Sequence, residues 1–292
     1  MNRRVFVGIA AAALAAASLA VRPVAAQYAA EVTSYVGGTT VAKEFGSNLP
    51  FDLTSSALGE PSRFTDDPGF PSVVSSFSSP YKRTQLLSVG ESGHATLRLS
   101  NYAVAQAGGN EIGVFAHASL IDAAWPSGDA GATAAAFGID SAIVELSADG
   151  ASWVSLGEVS FANPTNGYTD ATDPYATTPG SALADFQQPF TGSLSSFDGL
   201  KNYDAGANDI LDVLAGSGGG TWLTIPAGLA HVGFVRFSVA DDGNDAVGLS
   251  FEFDALSVSH AALGAPMVPE PAAGLLLLAS ALGLPMIRRR AR

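Results

Sequence analysis

The sequence predicts an all-β fold, a β-sandwich or barrel, with an apolar segment at each end lying outside the folded domain. Three observations carry this. Between residues 95 and 260, short runs rich in β-branched and aromatic residues recur between clusters of Gly, Asp, Asn and Pro, a punctuation that marks strands. The chain holds 32 Gly and 16 Pro, and helical periodicity of apolar residues is scarce. One stretch reads as a hairpin outright: Ala142 to Ser147, then Ala148-Asp149-Gly150, then Ser152 to Gly157. Asp-Gly supplies the positive φ values that a tight turn demands.

The N-terminal segment has a basic head, Met1-Asn2-Arg3-Arg4, and an Ala-rich apolar stretch from Val5 to Val21. Val24 and Ala26 then place small residues before Gln27. This is the grammar of a secretory signal peptide spanning residues 1–26, cut between Ala26 and Gln27. Arg3-Arg4-Val5-Phe6 partly resembles a twin-arginine export signal, so both the general and the twin-arginine routes stay open.

Within residues 27–267, strands are expected near Ala95–Ala103, Glu111–Leu120, Ser141–Ser147, Trp153–Phe161, Thr221–Ile225, His231–Ala240 and Leu249–His260. In the hairpin, alternation buries one face, with Trp153 expected as its anchor. Along Phe251-Glu252-Phe253-Asp254 the aromatics face one way and the acids the other. Residues 163–217 read as an excursion over one end of the sandwich, with a helical turn at Asn208–Leu214 and a hinge at Gly216–Gly220.

The C-terminal segment, residues 268–292, runs Val268-Pro269-Glu270-Pro271, an apolar stretch from Ala272 to Ile287, and Arg288-Arg289-Arg290-Ala291-Arg292. That stretch is about 24 Å long as a helix, a little short of the ~30 Å hydrocarbon core. The arginines supply a stop at the membrane. Motif, short apolar helix and Arg cluster together closely resemble the PEP-CTERM sorting signal of Gram-negative bacteria. The resemblance implies transient membrane insertion, processing near Pro269, Glu270 and Pro271 by an exosortase-type enzyme after signal peptidase, and release to the cell surface or extracellular matrix.

The two ends hold 7 of the 14 basic residues. The region between them keeps 7 basic against 26 acidic residues, a net charge of −19. Such a body excludes nucleic acid as a partner, because phosphate binding needs a basic footprint. It also repels anionic membranes and polyanionic glycans, while suiting divalent cations. There is no cysteine, so thiol catalysis is excluded and stability must come from core burial or bound ions. His94, His117, His231 and His260 show no zinc-hydrolase spacing, and neither a Gly-x-Ser-x-Gly elbow nor a P-loop occurs.

Acidic clusters carry the remaining chemistry. Asp241-Asp242-Gly243-Asn244-Asp245 sets three carboxylates and an amide around a glycine between two strands. Calcium takes six to eight oxygens from such a loop, although the EF-hand spacing is absent; an ordinary solvated turn is the alternative. Asp66-Asp67 and Asp209 with Asp212 default to surface solvation. A carboxylate pair drawn from Glu145, Glu158 and Glu252 would suit glycoside hydrolysis if two converged on a cleft. Trp125, Tyr168, Tyr175 and Trp222 are aromatics able to stack on sugars, or to fill a core.

A second resemblance covers most of Ser56–Val258. Val144-Glu145-Leu146-Ser147-Ala148-Asp149-Gly150-Ala151-Ser152-Trp153 is similar to a hairpin of discoidin-like and carbohydrate-binding jelly rolls, the galactose-binding-like fold. Val235–Val239 with Phe253–Val258 resemble that fold's closing strands, and Ser56–Pro61 and Leu87–Gly90 resemble phrases of bacterial surface proteins of this kind. The resemblance implies a jelly-roll β-sandwich, with structural calcium against the closing strand at Glu252 and Asp254. It does not carry over lectin activity, because no stretch shows the aromatic spacing of a sugar platform. The expectation is therefore an exported, non-catalytic surface or matrix protein associated with exopolysaccharide or biofilm. A carbohydrate-binding module is the alternative, and a secreted glycoside hydrolase the third reading.

Overall fold

The computed structural model describes residues 27–69, 71–126, 128, 136–137, 140–161, 175–181, 183–188, 220–243, 249–262, 264 and 266. The expected signal helix, the C-terminal helix with Pro269, Glu270 and Pro271, and the Asn208–Leu214 turn lie outside them. The strands are β1 (Ala29–Val36), β2 (Leu87–Gly90), β3 (His94–Val104), β4 (Ile112–Ala116), β5 (Ser119–Leu120) and β6 (Ala136–Phe137), then β7 (Ser141–Ser147), β8 (Val154–Ser160), β9 (Gly220–Leu223), β10 (His231–Ser238), β11 (Ser250–Val258) and β12 (Ala261–Ala262). A short 3-10 helix spans Thr54–Ala57. Among the described residues no helix is long and apolar enough to cross a membrane.

The main strands form two antiparallel sheets, as expected of an all-β sandwich. One has the order β1-β3-β10-β7-β8, with β12 also on β3; the other has the order β2-β11-β4-β9. β5 and β6 pair as a separate ribbon. The hairpin expected around Asp149 joins β7 to β8. Gly150 has φ +72°, and Asp149 Oδ1 accepts the amides of Ala151 (2.9 Å) and Ser152 (2.8 Å). Those two amides hold the Asp149 carboxyl below its usual range.

The core lies between the sheets. Leu97, Val144, Leu146, Val235 and Phe237 face it from one side, and Val89, Val114, Phe251, Phe253, Leu256 and Val258 from the other. Phe161 stacks on Phe251 at 4.5 Å between centroids, and Phe237 lies 5.0 Å from Phe253. Each fully buried aromatic of this kind is worth roughly 1.5–3 kcal/mol over exposure. The β11 register slips between Phe253 and Ala255. One extra residue there lets Phe251, Phe253, Leu256 and Val258 all point inward despite the broken alternation.

The outer faces differ. That of the first sheet is solvated and carries cross-strand ion pairs, Arg98 with Glu31 (3.0 Å) and Arg236 with Glu145 (2.6 Å). Trp153 sits here, half-buried beneath the Arg236 guanidinium at 4.2 Å, rather than in the core. The outer face of the second sheet is covered by the excursion between β1 and β2. Ser62 bonds Asp254 there, and the Ser88 amide donates to the Phe51 carbonyl (2.8 Å); a second segment, between β8 and β9, adds Phe186, on which Phe115 and Ala255 pack. Glu252 and Asp254 do point away from the Phe face, yet both are buried.

Candidate functional site

Strand β2 ends at Gly90, and Glu91-Ser92-Gly93 turns the chain into β3. Two other segments meet this turn. From the stretch after β1, the Thr39 amide donates to the Glu91 carbonyl (3.0 Å), and the Thr40 hydroxyl accepts the Glu91 amide (2.8 Å) while donating to the Leu249 carbonyl (2.5 Å). From the β10–β11 connection, the Val239 carbonyl accepts the Ser92 amide (3.0 Å). The packing admits no side chain at two glycines. A Cβ on Gly38, where φ is +83°, would stand 2.3 Å from the Glu91 carbonyl, and one on Gly90 would stand 2.7 Å from the Thr40 backbone. The main chain of Glu91 is thus pinned on both sides.

Its side chain is fully buried, and neither carboxylate oxygen makes a hydrogen bond of good geometry among the described residues, although the Leu249 amide and the Asp242 carboxyl lie close enough to interact with it. It points at Asp241 and Asp242, both exposed, on the β10–β11 connection; one oxygen from each of the three lies within 4.8 Å of the others. Asp241 also accepts the Gly243 amide (2.8 Å). Burial first, and then the charges of Asp242 and Asp241, raise the Glu91 carboxyl above its usual range, with the Leu249 amide opposing. Three carboxylates without nitrogen or sulfur form a donor set for a hard divalent cation. Beside it lies an open groove of about 760 Å³, lined by Asp140, Glu158, Asp242, Ser238 and Ser250.

The remaining expected residues fall elsewhere. Asn244 and Asp245 lie outside the described residues. Glu252 accepts the Ser88 hydroxyl (3.0 Å), and its own amide donates to Asp140 (3.2 Å). Burial and the nearby Glu252 carboxylate push the Asp140 carboxyl up to about 8. Beside Glu252, burial lowers the His117 pKa, so the ring is neutral at pH 7. Asp254 accepts the Ser62 amide (2.5 Å) and hydroxyl (3.1 Å), and burial still pushes it up to about 7. Neither Glu252 nor Asp254 joins the Glu91 cluster.

Of the carboxylates considered for hydrolysis, Glu145 is held by Arg236 and Glu158 accepts the Ser141 hydroxyl at the groove, while Glu252 lies within the other sheet. Asp140 and Glu252 are hydrogen-bonded to each other, whereas glycosidase carboxyls stand about 5 Å or more apart. Trp125 is exposed, Trp222 packs on Phe115 and Phe186, and the Tyr175 hydroxyl donates to Asp122 (2.9 Å); Tyr168 lies outside the described residues. Asp66 and Asp67 bond within their own loop, the latter to the Gly69 amide.

Glu91 and Asp140 were not expected from the sequence. For Glu91 a signal was present: a single charge bracketed by Gly90 and Gly93 in the three-residue connection between two strands, Glu91-Ser92-Gly93. Asp140 carries no such mark. No family model matches the chain, and no curated protein matches it.

Proposed function

We propose that the chain is an exported, non-catalytic β-sandwich protein of a Gram-negative cell surface or extracellular matrix. On this reading its sandwich is a galactose-binding-like jelly roll and its last 25 residues are a PEP-CTERM sorting signal. The observation that carries the reading is the three-part tail, Pro269-Glu270-Pro271, the apolar stretch to Ile287 and the arginines to Arg292, set against the signal-like N-terminus.

The geometry supports it in one respect. Both signals attach at neighbouring points of the sandwich. Strand β1, just after the expected cut, and β12, just before the tail, pair with the same strand β3. The Val258 amide donates to the Gln27 carbonyl (2.8 Å) and Tyr28 bridges Ser257. A body whose two ends close on each other keeps its core when either signal is removed, because the closing contacts belong to residues 27–262. The acidic surface suits solubility outside the cell.

The test replaces Pro269, Glu270 and Pro271 together by alanine in the full chain, expressed in a Gram-negative host that carries an exosortase. The wild type is expected in the surface and matrix fractions with its tail removed, as read by mass spectrometry. The variant is expected in the membrane fraction with the tail intact. Identical location and mass for the two would overturn the reading.

A further inference from the structure

We propose that Glu91, Asp241 and Asp242 form a calcium site that ties the β2–β3 turn to the β10–β11 connection. The carrying observation is the Glu91 side chain. It is wholly buried, neither oxygen makes a hydrogen bond of good geometry among the described residues, and it faces two further carboxylates. A buried charge stays in a fold when it is paired or holds a metal. A second acid and a third beside it worsen the imbalance unless a cation sits among them.

Nothing in the local build lets Glu91 escape. Its amide and carbonyl are both bonded, to Thr40 and Thr39, and Gly38 and Gly90 admit no side chain that would loosen the turn. Among the described residues no ion pair reaches Glu91. Arg236, which borders the neighbouring depression with Ser92 and Gly93, is committed to Glu145 and to the face of Trp153. The cation must then come from solution, and a chain with 27 acidic against 14 basic residues draws divalent cations toward it.

The ion's class follows from the donors. All three are carboxylate oxygens, which select hard cations over zinc or copper. Oxygens on opposite sides of calcium stand about 4.6–5.2 Å apart, twice the ~2.3–2.6 Å bond, and of magnesium about 4.2 Å. Three oxygens within 4.8 Å of one another are close enough for one calcium ion to touch all of them. Magnesium also dehydrates reluctantly and wants near-ideal octahedral geometry, which two aspartates on an exposed connection do not enforce. Because Asp241 and Asp242 are exposed, water completes the shell and the ion exchanges with the medium. The expected Kd is on the order of 10⁻⁴–10⁻³ M, as for extracellular calcium modules.

The full chain, purified in mild detergent and stripped with EDTA, is titrated with CaCl₂ or MgCl₂ by calorimetry, and its melting followed by circular dichroism. One equivalent of calcium is expected to bind. At 10 mM calcium the folding equilibrium should shift about 10–100-fold, a Tm rise of roughly 3–10 °C. Glu91→Gln should melt at or above the metal-free wild type, since a buried charge is gone, and lose the calcium response. Asp241→Asn with Asp242→Asn, both at exposed positions, should fold and bind at least about tenfold less tightly; this pair decides the matter if Glu91→Gln does not fold. No binding at 10 mM, or an unchanged response in either variant, overturns the site. An equal response to magnesium overturns the assignment to calcium.

Discussion

Replacing Asp254 by asparagine should make the protein more stable, and by an amount that grows with pH. The Asp254 carboxyl is buried on the covered face of β11 and is pushed up to about 7, against an ordinary 3.8, by burial that the two bonds from Ser62 only partly offset. Between about pH 4 and pH 7 the folded state holds a proton that the unfolded state has released. Stability attributable to this group therefore falls as pH rises through that window. At about 1.4 kcal/mol per unit, a shift of roughly three units is a ceiling of about 4 kcal/mol above pH 7. Roughly 2–3 kcal/mol of it accrues between pH 5 and pH 8. Asparagine keeps the shape: its oxygen accepts the Ser62 amide, and its NH₂ donates to the Ser62 hydroxyl, which rotates to accept. Thermal unfolding of wild type and Asp254→Asn, in EDTA at pH 5 and pH 8, reads the difference directly, since all other titrating groups cancel. The variant should gain about 4–10 °C more over the wild type at pH 8 than at pH 5. A gap that does not change with pH, or a variant that melts lower at pH 8, would refute the assignment of a buried charge cost to Asp254.

The same change at Glu111 should act in the opposite direction. Glu111 is fully buried, and its two oxygens accept the amides of Gln106 (2.7 Å) and Ile225 (3.0 Å). Glu111→Gln turns an NH₂ toward one of these donors and should cost about 1–3 kcal/mol, read as a lower denaturation midpoint at constant slope. Gly38→Ala should destabilise by more than the ordinary ~1 kcal/mol of a surface change. It combines a left-handed φ with a Cβ 2.3 Å from the Glu91 carbonyl. If alanine at 38 leaves the denaturation midpoint unchanged, the close approach of that loop to Glu91 is wrong.

Strands with enough alternating residues were legible in the sequence. β7 was placed to the residue, and β3, β8 and β10 to within about two residues at either end, because Ala142, Val144 and Leu146, or Val235 and Phe237, fall on one face of a pleat. β2 escaped because four residues hold no period. β1 escaped because it is a half-exposed edge with two register shifts, so its sequence shows little alternation. Trp153 misled for a related reason. Alternation says which residues share a face, but the β7–β8 connection carries Trp153 outside the alternating run, where Arg236 covers it. For β11 the period correctly separated Phe251 and Phe253 from Glu252 and Asp254. It could not say that a second layer covers the acidic side, because Ser62 comes from almost 200 residues away.

That last point explains why the candidate site was only half readable. Asp241 and Asp242 were visible as an acidic turn, and a turn shows itself in local sequence. Glu91 becomes a ligand candidate only once β2 and the β10–β11 connection are neighbours, a pairing separated by about 150 residues. Local sequence also gives every acid the same letter. Glu111, Asp254 and Glu91 are three buried carboxylates, yet the neighbours assign them three roles. Two main-chain amides satisfy Glu111; one serine and deep burial leave Asp254 inclined to hold a proton; and two more acids confront Glu91. Neutralising each by an amide therefore separates the roles in one series: loss of stability at 111 with or without calcium, a pH-dependent gain at 254, and at 91 a gain that appears only when calcium is absent. If all three amides shifted stability alike, with no dependence on pH or calcium, burial alone would account for these residues and the distinction drawn from their partners would fail.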